Sequence, residues 1–400
     1  MPQFESLDWG GLAAVGGMYA FFLAVGAYAA RRVKHGPVVG LILAGRDLPL
    51  WVATLTMTAT WVDGGYLLGT AEGAFKPRGG ILLGLQGGIC FGVSLILGGL
   101  FFARTMRARE FTTLVDPFEA RFGKRWAAVL AMPALLGETI WGAALLAAIA
   151  ATFSVLLGME RWASILLSSA IVTAYTMLGG MWSVAWTDIF QLALVPIGLL
   201  AALPFAMRSA GGWSACLRDY LATRAAEPPW TFQQSIGWWD VTAMLVLGGI
   251  PWNCYFQRVL SCRSPLVAQR HSILAGLLTM LLTVPPLLLG MAAAGQDWPG
   301  AVRLALADDP SSVLPMLLRR AVPYGIGLLG LAAIVGAVTS SFSASILSAG
   351  SMFSWNVFGR LISPQTGPAL MTAVVRGSIL VLGVGAAAFA LLVQSVQELW

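Results

Sequence analysis

About ten stretches of this chain are apolar over a length that crosses a lipid bilayer, near residues 9–30, 49–75, 80–102, 126–155, 162–180, 184–207, 238–258, 272–295, 322–348 and 370–395. A helix needs roughly 20 such residues to span the hydrocarbon core. Only 10% of the 400 residues are charged, whereas an ordinary soluble domain carries about 25%. That scarcity excludes a soluble enzyme, a disordered chain and a coiled coil. A membrane β-barrel is excluded as well, because its strands alternate apolar and polar residues over about ten positions. The sequence therefore reads as an all-α polytopic membrane protein, in which each helix bonds its own backbone polar groups away from water.

The distribution of Lys and Arg gives an orientation. With the N-terminus outside, the inner segments hold Arg31, Arg32, Lys34 and Arg46, then the basic residues between Arg104 and Arg125, then Arg258, Arg263 and Arg270, then Arg360 and Arg376. These make up fifteen of the 24 basic residues, a bias of the positive-inside kind. The Arg31, Arg32, Lys34 cluster follows the first span with no small-residue cleavage site before it, so that span reads as a retained helix. Cys216 then falls outside and Cys262 inside, so these two cannot pair. Cys90 and Cys254 lie in spans and read as small apolar side chains. Four cysteines and two histidines show no metal-ligand spacing, and nothing in the pattern points to nucleic acid.

Two spans are not ordinary helices. The second contains Trp61-Val62-Asp63-Gly64-Gly65-Tyr66, and the seventh contains Leu247-Gly248-Gly249-Ile250-Pro251-Trp252. Paired glycines lower helix propensity, and Pro251 removes a donor and clashes with the preceding turn. Unwound backbone is tolerated at membrane depth where it lines a buried cavity. Interrupted spans in corresponding places of two halves point to an inverted-repeat transporter, although two independent kinks would leave the same trace.

The polar residues inside the spans carry the chemistry. Asp63 is a carboxylate beside a broken backbone, with no Lys or Arg in its own span. It reads as the counter-charge for a cation (substrate, Na⁺ or H⁺), or as a carboxyl kept protonated by burial. Glu72 and Glu138 read either as gates or as hydrogen-bonding structure. The ninth span offers Thr339, Ser340, Ser341, Ser343, Ser345 and Ser348. Their hydroxyls, with backbone carbonyls, are the neutral oxygen donors that suit Na⁺, and equally the small residues that pack membrane helices. Trp61, Trp141 and Trp252 lie within spans, two of them at the breaks. Aromatic faces around a buried cavity suit an alkylammonium ion through cation–π attraction. No nucleophile–base pair accompanies the serines, which disfavours an intramembrane enzyme.

These residues resemble the sodium:solute symporter family, and within it the high-affinity choline transporter branch. The similar stretches are Thr56 to Val62 with Gly64-Gly65-Tyr66 and Gly69 to Glu72; Ser94 to Ala103; Asp116-Pro117-Phe118; Pro133-Ala134-Leu135 through Trp141; Leu247 to Trp252 with Tyr255 to Leu260; and Ser345 to Ala349 with Ser351 to Phe353. Gly179-Gly180-Met181, Ala185, Thr187-Asp188 and Gln191 match the wider family. The resemblance implies a five-plus-five inverted-repeat (LeuT-like) fold with one helix ahead of it. It implies a sodium site from the backbone oxygens of Ala59, Val62 and Ala337 and the hydroxyls of Ser340 and Ser341. A second sodium site of some relatives would map to Asp188, Ser340 and Ser343, and the substrate pocket to Trp61, Phe91, Trp141 and Trp252, with Asp63 added by the reading above. The branch has Gly where this chain has Asp63, Asp where it has Ser343, and Tyr where it has Phe91. No residue is assigned to chloride.

The expected organisation is an extra N-terminal helix and inner loop over 1–48, a first repeat of five spans over 49–207, an outer loop over 208–237, and a second repeat over 238–400. The family fold runs on for about three more helices, so the resemblance implies a second repeat of four spans here. The expected function is Na⁺-coupled symport of a small, choline-like organic cation by alternating access, in a plasma or bacterial inner membrane. Two alternatives stay open: coupled uptake of another metabolite such as an amino acid or betaine, and a relative that binds or senses without transporting.

Overall fold

In a computed structural model, residues 7–31 and 38–392 are described. Arg32 and Lys34, two of the basic residues used for orientation, lie outside that range, as do the last residues of the tenth expected span. Most of the described residues are helical. We label its principal helices α1 (Trp9–Ala30), α2 (Leu50–Trp61), α3 (Gly64–Phe75), α4 (Gly80–Ala108), α5 (Lys124–Leu157), α6 (Arg161–Ser209), α7 (Trp213–Ala225), α8 (Phe232–Gly248), α9 (Asn253–Ser261), α10 (Pro265–Ala294), α11 (Tyr324–Ile362) and α12 (Pro368–Leu392).

Seven of these, namely α1, α4, α5, α6, α10, α11 and α12, are long and apolar enough to cross a membrane. The chain is a multi-pass integral membrane protein. The remaining expected crossings are divided ones. Helices α2 and α3 together make the second expected span, and α8 and α9 the seventh. Helix α6 contains the fifth and sixth. Its 49 residues would extend about 74 Å if straight, more than twice the hydrocarbon thickness. The helix turns at Gly180, where φ is 53° and ψ −137°, a backbone state open in practice only to glycine. A Cβ there would also strike Leu41.

Helix α11 is the centre of the bundle. Every residue from Ala333 to Met352 is buried, and α11 packs on α5, α6 and α12. Small residues make this close packing possible. A Cβ on Gly336 would come within 3.0 Å of the Gln191 carbonyl on α6. The polar residues of α11 are thus held at the protein centre, facing the two broken spans.

Candidate functional site

The first break arises where Asp-Gly-Gly interrupts an apolar run. Helix α2 ends at Trp61, Val62 leaves the helical region with φ −89° and ψ 70°, and α3 restarts at Gly64. Asp63 is the N-cap of α3: its Oδ1 accepts from the Tyr66 amide at 2.7 Å. Its other oxygen, Oδ2, accepts from Trp141 Nε1 on α5 at 3.1 Å. The carboxylate is therefore bonded on both sides while 3% exposed. Gly64 is needed for close approach, since a Cβ there would overlap Val338 of α11.

The second break follows Gly248-Gly249 and Pro251, and α9 begins at Asn253. The Trp252 ring lies edge-on to Trp141, with centroids 6.0 Å apart and planes at 80°. It also passes over Gly137, one turn earlier on α5, where a Cβ would sit 3.3 Å from the ring. The structure thus brings Asp63, Trp141 and Trp252 into one cluster from three separate elements. Trp61 pairs instead with Tyr255 of α9 at 6.3 Å. Phe91 on α4 is half-buried against the main core, and no ring pairing joins it to the three tryptophans among the described residues.

Breaking α2 frees its last carbonyls, which have no donor within the helix. Two are met by α11. Ser340 Oγ donates to the Ala59 carbonyl at 2.8 Å, and Ser341 Oγ lies 2.9 Å from the Thr60 carbonyl and 3.4 Å from that of Ala59. Both hydroxyls also reach the Ala337 carbonyl, at 2.8 and 3.2 Å. Four of the five expected sodium ligands are therefore in mutual contact, and Val62 sits at the end of the same broken turn. An ion of calcium's size, which Na⁺ shares, takes oxygens at about 2.3–2.6 Å, placing adjacent oxygens about 3.3–3.7 Å apart at right angles. The oxygens now 2.8 Å apart need to part by about 0.5–0.9 Å to admit it.

The residues expected at a second sodium site have other partners. Asp188 Oδ2 accepts from the Thr56 hydroxyl and faces Arg258 Nη2 at 3.5 Å, with both charged side chains fully buried. Ser343 Oγ donates to the Ser340 carbonyl of its own helix at 2.8 Å. Arg258 also donates to the carbonyls of Thr56 and Cys254, at 3.3 and 3.1 Å. It thereby ties α2, α6 and α9 together. Counting Arg258 as an inner-loop charge was mistaken: its guanidinium turns into the protein, which a tally of Lys and Arg along a chain cannot register.

Sequence reasoning also missed how the other acids are used. Glu72 pairs with Lys76 one turn later. Glu138 is 1% exposed, and its Oε1 accepts from the Cys254 amide at 3.2 Å and from Ser348 Oγ at 2.6 Å. A signal for the Asp63 cap was available, since Asp immediately before a helix start is a preferred N-cap. No local signal existed for Glu138, whose partners lie more than 100 residues away.

The chain is 39% identical to the human protein "High affinity choline transporter 1", over 98% of this chain and 69% of that protein. It is 36% identical to the Caenorhabditis elegans "High-affinity choline transporter 1", over 98% and 70%. A *Vibrio parahaemolyticus* "Sodium/glucose cotransporter" is 23% identical, over 87% and 68%. Among solved structures, a Na⁺-coupled sialic acid symporter in a substrate-bound, outward-open state superposes with a TM-score of 0.81 at 22% identity, covering 98% of this chain and 82% of that one. The fold is thus the LeuT-like fold of that symporter. The family model described as "Sodium:solute symporter family" matches residues 41–400, and the chain belongs to the sodium:solute symporter family.

Proposed function

We propose that this chain is a secondary transporter that couples the Na⁺ gradient to uptake of a small, choline-like organic cation. It is a transporter and not an enzyme, as its relatives are. The observation that carries the substrate class is the cluster of Trp141 and Trp252 beside the Asp63 carboxylate at the two helix breaks. An indole face attracts a quaternary ammonium, and the carboxylate supplies opposite charge. Trp61 Nε1–H is buried without a partner, a donor that a substrate hydroxyl would satisfy.

Na⁺ is the second substrate. Its site would be Ala59, Val62 and Ala337 through backbone oxygens, with Ser340 and Ser341 through hydroxyls. Without the ion, the two hydroxyls donate to the broken helix's carbonyls. With it, the same oxygens turn their lone pairs to a shared cation, locking α11 to α2. Substrate then binds between the breaks, and rocking of one helix bundle against the other opens the site inward. Low internal Na⁺ releases the ion. The membrane potential adds about 2.3 kcal/mol per charge per 100 mV. We further propose an outside N-terminus, with repeats over 49–207 and 238–400. Asp188 with Ser340 and Ser343 as a second ion site would require the Asp188–Arg258 pair to open.

Uptake of labelled choline into proteoliposomes, with and without an inward Na⁺ gradient, tests this. Accumulation that needs the gradient is expected. Gradient-independent equilibration, or no binding of choline at any Na⁺ concentration, would overturn the reading.

A further inference from the structure

Glu138 occupies a place that the symport reading leaves unused. It stands on α5 one turn before Trp141, on the same helical face. Its Oε1 accepts from the Cys254 amide, in the first turn of α9, at 3.2 Å. The residue before that turn is Trp252, which caps α9 with no side-chain hydrogen bond of its own. Glu138 therefore supplies the cap from another helix, placing an acceptor oxygen where the free amides of α9 need one.

The same oxygen accepts from Ser348 Oγ at 2.6 Å, and the Glu138 carbonyl accepts from Ser345 Oγ at 2.5 Å. Asn253 Nδ2 donates to Ser348 Oγ at 2.9 Å, closing the cluster. Ser341, Ser345 and Ser348 follow one another at helical spacing on α11, so one stripe of that helix begins at the proposed Na⁺ site and ends on Glu138. Glu138, Asn253, Ser345 and Ser348 are all at most 2% exposed. Water cannot substitute freely for these bonds, so displacement of α11 is transmitted through them.

We propose that Glu138 is a positioning residue that couples Na⁺ occupancy of α11 to the placement of Trp252, and through it to substrate affinity. This rests on the symport reading for its ligands. Na⁺ entering between α11 and the broken α2 parts Ser341 from the α2 carbonyls and shifts the Ser345 and Ser348 hydroxyls with it. Glu138 follows them and carries the first turn of α9, with Trp252 at its start. Coupling between two ligands in proteins commonly amounts to roughly 5–150-fold in affinity.

The test uses the full chain carrying fluorinated tryptophan, with the Trp252 ¹⁹F resonance assigned by Trp252→Phe. Na⁺ is titrated alone, and choline affinity is then measured with and without Na⁺. In the wild type, the Trp252 resonance should move with Na⁺. Glu138→Gln keeps an Oε1 acceptor for both the amide and the hydroxyl, and should preserve the response. Glu138→Ala should abolish it and reduce the Na⁺ enhancement of choline affinity at least about tenfold, while Na⁺ still raises thermal stability. A Trp252 resonance that follows Na⁺ in Glu138→Ala as in the wild type would overturn the proposal, as would one that ignores Na⁺ in the wild type. Should Glu138→Ala not fold, the paired Ser345→Ala, Ser348→Ala variant cuts the same link from the α11 side, and its outcomes are read identically. A wild type that binds no choline, yet shows a Trp252 response abolished by Glu138→Ala, would strike the substrate assignment and leave the coupling standing.

Discussion

Replacing Asp63 with Asn separates the two tasks of that carboxylate. The cap survives: Asn presents one oxygen to the Tyr66 amide as Asp does, and the two residues cap helices about equally well. The bond to Trp141 does not survive, because the amide nitrogen would face the indole N–H donor to donor. Leaving that buried N–H unbonded costs about 1–3 kcal/mol of stability. The charge is lost as well. A cation on the face of Trp141 would lie roughly 6 Å from the carboxylate, and at an effective dielectric constant of about 20 the pair interacts by roughly 2.8 kcal/mol. If desolvation cancels about half of that, choline affinity falls about tenfold. Scintillation-proximity binding to the purified variant measures this, alongside the neutral isostere in which carbon replaces the ammonium nitrogen. The isostere should lose less than about twofold, having no charge to miss. Trp141→Phe is the companion, since it removes the N–H while keeping an aromatic face and the carboxylate. Equal losses for choline and its isostere in Asp63→Asn would refute the counter-charge and leave Asp63 a structural cap.

Ser341→Ala removes one hydroxyl oxygen from the Na⁺ site and a hydrogen bond from the ion-free site. The difference of about 1–2 kcal/mol should raise half-saturating Na⁺ roughly 5–30-fold in uptake assays; an unchanged Na⁺ dependence would remove this ion site. Trp252→Ala should weaken choline binding by about 1–2 kcal/mol, the cation–π scale of a dry site, with a smaller loss for the neutral isostere; equal losses would make Trp252 a packing residue only. Asp188→Asn leaves the buried Arg258 without a counter-charge and should cost about 3–5 kcal/mol in thermal unfolding. Adding Arg258→Met should restore much of that stability, and an Asp188→Asn protein as stable as the wild type would show that the pair is not closed.

What could be read from the sequence was what has a local cause. The breaks at 63–65 and 248–251 follow from glycine pairs and one proline, and the helices stop and restart there. The division of 162–207 into two expected crossings anticipates the turn at Gly180. Ala59, Ala337, Ser340 and Ser341 were placed by resemblance, and the structure brings them into hydrogen-bond contact. The partners of Asp188 and Glu138 were not legible. Each charge is matched by a residue distant along the chain, chosen by how the helices pack rather than by spacing. Phe91 illustrates the converse: only the resemblance placed it in the pocket, and in the structure it packs half-buried against the main core.

The far end of α3 is also held. Tyr220 on α7 donates its hydroxyl to the Ala74 carbonyl at 2.7 Å, and burial holds that phenol above its ordinary range, so it stays a donor. Arg224 donates to the Ala74 and Phe75 carbonyls, both at 2.8 Å. Tyr66, one turn from the Asp63 cap, is bonded to Thr279 and Thr283 of α10, so a tilt of α3 about the staple would carry that part of α10 with it. The 12 residues of α3 make an arm of about 18 Å, so a tilt of about 10° about the staple sweeps Asp63 through about 3 Å. That is as long as the bond from Trp141, so a small rotation at the rim is enough to make or break the polar contact at the centre.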